Sequence, residues 1–222
     1  MAADVLAELV VEQHLSEARR RLLASAEEVF AEKGYDAASI REISALAGVN
    51  LASIKYYFGD KEGLYIEAVK HAHFCSSVGG PVPDFPVELP AVAKLEMFIR
   101  GMVARMHGPA RPSSMKLMMR EMAHPGKAAH VVVQEFIQPM AFRLRAILRE
   151  LLPGHTEPEL LMIEFSVIGQ ILYYRQNRPI SELIFSKGEV DGLDETMVAD
   201  HIVRFCSAAL GFAGPILTGG RP

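Results

Sequence analysis

Apolar residues recur along this chain three and four positions apart, the spacing of helices that turn one face inward. Leu22, Leu23, Ala26, Val29 and Phe30 form the clearest such set. They predict a helix from about Ser16 to Lys33, ended by Gly34 as a left-handed C-terminal cap. Residues 1–15 are helix-permissive but unanchored, an extension or a loose arm. Ser39-Ile40-Arg41-Glu42 reads as a capping box, with the serine hydroxyl on the amide three residues on and Glu42 reaching back. The helix it opens ends at Ala47-Gly48. Leu51 to Phe58 follows, and Asp60 then caps a helix with Leu64, Tyr65, Ala68 and Val69 on its apolar face. The four prolines between Val78 and Pro90 cannot share a helix interior and mark a linker. Longer amphipathic stretches cover about 90–107, 112–124, 127–152, 157–176 and 194–212. Pro139 should kink or divide the third near Ile137. Thr156-Glu157-Pro158-Glu159 is a second capping box, Asn177-Arg178-Pro179 a stop, and Thr218–Pro222 a frayed tail. Sustained alternation of period two is absent. The expected fold is all-α: an N-terminal three-helix helix-turn-helix domain in residues 1–75, with the motif at about 39–58, followed by a helical bundle in 76–222.

Two short helices joined by a glycine turn are informative because of their spacing. Ile43, Leu46 and Ala47 are read as the inward face of the first, with Ala47 small enough for a close crossing. Gly48 permits the reversal, Val49 plugs it, and Ile54 and Phe58 face inward from the second. Asn50, Leu51, Ala52, Ser53, Lys55, Tyr56 and Tyr57 are left outward. Small residues let such a helix sit deep in a major groove, while Lys and Tyr reach phosphates. The bland alternative, a helical hairpin inside a core, does not account for Lys55, Tyr56 and Tyr57 standing together.

From Ser39 to Leu64 the chain resembles the DNA-binding signature of the TetR/AcrR family of transcriptional regulators, in the Ala-Gly-Val turn, the Tyr-Phe pair and the Lys-Glu-x-Leu start. The likeness extends over about residues 16–70. It implies an all-α homodimer with an N-terminal DNA-reading domain and a C-terminal effector and dimer domain. Carried over by position, Ser39 and Lys61 match phosphate contacts, Asn50 precedes the recognition helix, and Leu51 and Ala52 approach base edges. Arg41, Lys55, Tyr56 and Tyr57 complete the expected DNA-binding set. Lys55 stands where the family most often has Tyr, and Tyr57 where it commonly has His. Met119–Pro125, Glu135–Pro139, Ile168-Gly-Gln170 and Tyr173-Tyr174 make the C-terminal half similar to a CerR-type branch. Helices 157–176 and 194–212 are the expected dimer seam, with Ile163, Val167, Ile171, Ile202, Phe205 and Leu210 as its apolar faces.

Charge complicates the DNA reading. The 222 residues hold 23 Lys/Arg against 27 Asp/Glu, so any nucleic-acid surface must be local. Arg19, Arg20, Arg21, Arg41, Lys55 and Lys61 could share one face, with the acids elsewhere. Seven methionines lie between residues 97 and 122. Adaptable thioethers suit an apolar effector cavity, although each methionine alone reads as core filling. The candidate pocket set is Phe98, Met102, Met106, Met119, Met122, Phe136, Gln170 and Tyr173. Arg120, Glu121, His124 and Glu164 are further polar candidates.

His71-Ala-His73-Phe-Cys75 falls short of the three or four converging ligands of a metal site and reads as a helix end. Cys206 reads as a small core residue. No GxSxG, HExxH, Walker lysine or GxGxxG occurs, so no catalytic residue, metal or cofactor is expected. The N-terminus lacks a basic leader, no apolar run of about 18 residues occurs, and two distant cysteines fit a reducing compartment. The expected location is cytoplasmic, with no membrane partner. The functional expectation is a ligand-responsive repressor. It would bind an inverted-repeat operator as a dimer and be released by an apolar or amphipathic small molecule. The alternative is a small-molecule-binding or catalytic helical protein that uses the motif only as a scaffold.

Overall fold

The computed structural model describes residues 2–75, 85–86, 88–107 and 111–214, with side chains for 17–73, 85–86, 88–106 and 111–214. Most of the linker, and the tail, lie outside these. Every regular element among them is helical: α1 (Ala2–Ala37), α2 (Ile40–Ala47), α3 (Leu51–Phe58), α4 (Lys61–Cys75), α5 (Ala91–His107), α6 (Pro112–Ala123), α7 (Lys127–Val132), α8 (Gln138–Leu151), α9 (Glu157–Gln176), α10 (Arg178–Ile184), α11 (Lys187–Asp191) and α12 (Glu195–Ala209). A π-helical turn, Val133–Ile137, joins α7 to α8. Helix α1 extends back to Ala2, and its regular dihedrals break at Gly34, φ 77°.

The chain forms two packing units. One comprises Met1–Ser76 with Ala110–Glu135, the other Ser77–Pro109 with Phe136–Pro222. Packing thus divides the chain differently from a single cut at Cys75, since α6 and α7 cluster with α1 and α4. The first unit closes over Leu22, Ala26, Phe30, Ile43, Ile54, Leu64, Ala68 and Leu117, all essentially inaccessible. The second has its own core, with Leu95, Phe98 and Ile99 of α5, Leu144 and Leu148 of α8, Leu160 and Val167 of α9, and Ile202 of α12.

Several elements follow from local chemistry. The π-helical turn sits just before Pro139. Proline lacks the N–H for the helical ladder and its ring crowds the carbonyl four residues back, so the turn widens. Helix α9 starts at the expected capping box, with Glu159 Oε2 accepting from the Thr156 amide at 2.7 Å and its hydroxyl at 2.8 Å. Arg145 and Arg149 of α8 meet Glu157 at the same end. Residues 178–191, which the stop signal leaves unassigned, form α10 and α11. Pro179 lies in the first turn of α10, where no ladder hydrogen bond is lost. Helix α12 ends at Ala209, short of the expected residue 212.

Hydrogen bonds from Thr156 hold the Glu159 carboxyl below the usual carboxylate range, and Arg149 and then Arg145 do the same for Glu157. A carboxylate whose folded pKa is depressed stabilises above its unfolded pKa, about 4.3 for Glu, and loses that contribution as pH falls through the folded value. The second unit should therefore lose stability below about pH 4. Urea midpoints at pH 7, 5 and 3.5 measure this. Glu159→Gln should flatten the acid limb, and an unchanged limb would refute the assignment.

Candidate nucleic-acid interface

Helices α2 and α3 meet across Gly48, which adopts φ 62° and donates its N–H to Ala45 at 3.1 Å. Ile43, Ser44 and Ala47 form the buried face of α2. Leu46, expected inward, is 53% exposed because it follows Ser44 and Ala45 round the helix to the outer side. Ile54 and Phe58 are the buried face of α3, as their spacing of four requires. Lys55 and Tyr56 project from that helix, Tyr57 is half-buried, and the Tyr56 and Tyr57 rings meet edge-on at 4.9 Å. Leu51 and Ala52 are exposed at its first turn. Asn50 caps it, with its side-chain oxygen accepting the Ala52 amide at 2.8 Å.

Ser39 caps α2 differently from the expected box. Its hydroxyl accepts the Arg41 amide, two residues on, at 3.3 Å. Glu42 does not return to Ser39; its carboxylate meets Lys33 Nζ at 2.6 Å, a charged partner displacing a neutral one. Lys61 reaches the Asp36 carbonyl at 3.2 Å and lies over the Tyr35 ring, which fixes its ammonium at the start of α4. Asp60 caps that helix through the Gly63 amide at 2.8 Å.

The six basic residues are not an uninterrupted patch. Arg19 pairs with Glu67 and lies over the Phe58 ring, and Arg20 pairs with Glu17. Arg41 and Lys55 are exposed and make no ion pair among the described residues. The outward face of α2–α3 therefore combines two uncommitted cations, tyrosine hydroxyls and a small apolar tip.

Behind this surface lie two buried carboxylates: Glu27, which the sequence reading passed over, and Glu121, which it has as a polar candidate for the pocket. Glu27 of α1 has no exposed surface; it accepts the Ser114 hydroxyl of α6 at 2.6 Å and faces His71 Nδ1 of α4. Glu121 of α6 accepts Tyr65 Oη at 2.5 Å, the Gly126 amide at 2.9 Å and the Ala129 amide at 2.8 Å. Burial and then the Glu121 carboxylate push the Tyr65 hydroxyl well above its usual range. The signal was available: Glu27 lies four residues from Leu23 and from Ala31, on the apolar stripe of α1, and Ser114, Leu117 and Glu121 share one face of α6. His71 thus answers a buried glutamate instead of the helix dipole, and Glu121 is held by structural partners.

The candidate pocket residues are dispersed. Phe98 and Met102 are buried in the second unit's core, Met106 and Phe136 are half-buried, and Tyr173 is exposed. Met119 and Met122 belong to the first unit and are exposed. The second unit has a cavity of about 440 Å³ between α9 and α12, walled by Ile163, Val167, Phe205, Cys206, Leu210 and Gln170. Of the candidate set, Gln170 alone lines it. Glu164 turns inward onto Arg145, 2.5 Å away.

The expected seam helices are present, but of the six expected residues only Phe205 is exposed. Val167, Ile171 and Ile202 are core, and Ile163 and Leu210 are half-buried. Leu161, Met162, Phe165, Tyr173 and Met197 are exposed beside it. Periodicity alone cannot say which stripe of a helix apolar all round meets its own core. Among the described residues, no group of three or more metal-ligating side chains converges, and no helix is long and apolar enough to cross a membrane.

Comparison with known proteins matches residues 22–68 to the model for bacterial regulatory proteins of the tetR family. Residues 91–210 match that for the C-terminal domain of the HTH-type transcriptional dual regulator CecR, so the branch is that of CecR, where the sequence reading has CerR. The chain is 30% identical over 174 residues to the dual regulator CecR of Shigella flexneri, covering 72% of this chain and 76% of that protein. It is 38% identical over 61 residues to the transcriptional repressor NicS of Pseudomonas putida, 28% of this chain and 29% of that one. A TetR-like regulator from Rhodococcus sp. RHA1 superposes with a TM-score of 0.57 at 17% identity, over 88% of this chain and 97% of that one.

Proposed function

Because the chain belongs to the TetR family of bacterial regulators, with a CecR-type C-terminal domain, we propose that it is a ligand-responsive repressor that binds an inverted-repeat operator as a dimer. The observation carrying this is the outward face of α3, anchored from behind by Ile54 and Phe58. The helix enters a major groove tip first, with Leu51 and Ala52 against base edges, where apolar groups meet thymine methyls. Lys55, Tyr56 and Tyr57 contact phosphates or bases, and Arg41, Ser39 and Lys61 track the backbone from α2 and α4. Lys61 acts as a positioned charge, since Asp36 and Tyr35 already fix it. A dimer places two such helices about one helical turn apart, ~34–36 Å.

Release requires an effector with unequal affinity for the two states, since equal affinity shifts nothing. Helices α6 and α7 pack in the unit that holds α3 and α4, yet in sequence they lie between α5 and α8 of the other unit. Strain in α5 or α8 therefore reaches α4 through Glu121–Tyr65 and α1 through Glu27–Ser114.

Selection of bound duplexes from a genomic DNA pool at two salt concentrations tests the proposal. One inverted-repeat site, its affinity falling steeply with salt, is the expected result. If the protein, freed of any co-purified small molecule, recovers nothing above background, the proposal fails.

A further inference from the structure

Lys61, at the start of α4, stands on an aromatic stack outside the expected DNA-binding set. Gly34, at φ 77°, breaks the helical path of α1 just before Tyr35. The Tyr35 ring lies near-parallel to Phe30, with centroids 6.3 Å apart, and meets Tyr65 edge-on at 5.0 Å. Tyr65 also meets Phe30 edge-on, at 4.9 Å. Phe30 has no exposed surface and forms the floor of the stack, while Tyr35 and Tyr65 are half-buried above it. Tyr65 is tied at its other end as well. Its Oη donates to Glu121 at 2.5 Å, and that carboxylate is itself held by the Gly126 and Ala129 amides. A phenol gripped by edge-on ring contacts and by its hydroxyl keeps little rotational freedom.

The Lys61 ammonium sits 4.7 Å from the Tyr35 ring centroid and donates to the Asp36 carbonyl at 3.2 Å. Glu62, next along the chain, spends both carboxylate oxygens on Lys127, each at 2.8 Å, and so does not draw the ammonium away. A lysine ammonium has three N–H donors. The carbonyl takes one, and the ring face covers a second side by cation–π attraction. A third is left for a ligand oxygen. A free lysine gives up its rotamer freedom when it binds, whereas this one is ordered by the fold beforehand.

We infer that Tyr35 and Tyr65 are positioning residues for DNA binding: Tyr65 sets the Tyr35 ring, and the ring holds Lys61 with a donor free for a backbone phosphate. The inference rests on the operator-binding reading above and adds to it two residues that act through Lys61. Ordering a long side chain in advance raises affinity by removing a cost, without adding a contact. It leaves the number of neutralised phosphates unchanged, so affinity and salt dependence separate positioning from contact.

The test is a set of double-mutant cycles in the full-length protein. Tyr35→Leu, Tyr35→Phe and Tyr65→Phe, each with and without Lys61→Ala, are titrated by fluorescence anisotropy against the duplex recovered by genomic selection, at several salt concentrations. Lys61→Ala should weaken binding and lower the salt slope by about 0.9. Tyr35→Leu should weaken it by about 3–10-fold with the slope unchanged. Tyr35→Phe keeps the ring face and should bind like the parent, and Tyr65→Phe, whose ring loses its tie to Glu121, should fall between. In the Lys61→Ala background none of the tyrosine changes should have a further effect. Tyrosines that serve only the packing of the unit would weaken binding equally with and without Lys61, and that result overturns the inference. So does a Tyr35→Leu protein that binds like the parent, a Tyr35→Phe protein as weak as Tyr35→Leu, or a Lys61→Ala protein with undiminished affinity. A Tyr65→Phe protein that binds like the parent overturns the role of Tyr65. If melting curves show that Tyr35→Leu does not fold, the Tyr65→Phe cycle decides by the same criterion. A parent protein that recovers no duplex removes the operator-binding reading and this inference with it.

Discussion

Replacing Lys55 and Tyr57 together by alanine is expected to weaken operator binding at least ~100-fold at physiological salt while leaving the fold intact. Each well-placed side chain at a groove is worth about 1–3 kcal/mol of recognition, so two removed together cost ~3 kcal/mol or more. Lys55 is exposed and makes no ion pair among the described residues, so its loss breaks nothing inside the protein. Tyr57 is half-buried against Tyr56 and Phe58 and needs the control of an unchanged melting curve. Fluorescence anisotropy at several salt concentrations also resolves the role of Lys55. If it contacts a phosphate, Lys55→Ala lowers the salt slope by about 0.9. If it reads a base edge, affinity falls with the slope unchanged, and discrimination at one position relaxes. Equal binding by parent and double variant would return the motif to a scaffold role.

The largest stability effect is expected at Glu27. Glu27→Ala leaves the Ser114 hydroxyl buried without its acceptor and removes the carboxylate that His71 faces. A buried unsatisfied polar group costs about 1–3 kcal/mol, and the vacated volume adds to that. The first unit should lose about 2–5 kcal/mol, with a melting midpoint lower by ~5–15 °C. Glu27→Gln keeps an oxygen to accept from Ser114 and should lose about half as much. Differential scanning calorimetry distinguishes the two. A Glu27→Ala protein melting within ~1 °C of the parent would show that the three-helix junction does not depend on this carboxylate.

The candidate DNA surface was legible because its determinants are local. Asn50 caps the residue two positions on, Gly48 turns the chain where it stands, and Ile54 and Phe58 bury as a pair four apart. The failures within the same segment have a common form. Glu42 had a plausible neighbour in Ser39 and a stronger one in Lys33, nine residues back and brought close only by the packing of α1 on α2. Leu46 was assigned inward on hydrophobicity, and the helical phase set by Ile43 and Ala47 puts it outside.

The methionine-rich stretch illustrates the wider limit. Its composition suggested one cavity, but Met102 packs in one unit while Met119 and Met122 lie in the other. The chain crosses between units at residues 76–77, 109–110 and 135–136, and nothing in the local pattern of α6 announces which unit it joins. Its allegiance is set by Ser114 and Glu121, whose partners Glu27 and Tyr65 are 87 and 56 positions away.

By itself, then, the sequence determined what depends on near neighbours: the all-helical class, most helix ends, the division at Pro139 and the turn and outward face of the helix-turn-helix. Apolar periodicity, caps and glycine act within a few residues, so their outcome is written along the chain. The tertiary structure decided which of two apolar stripes on α9 and α12 stays exposed, which unit holds α6 and α7, and which glutamates are buried as anchors. Those outcomes depend on competition among partners distant in sequence, where geometry and burial, and not residue type, choose the winner.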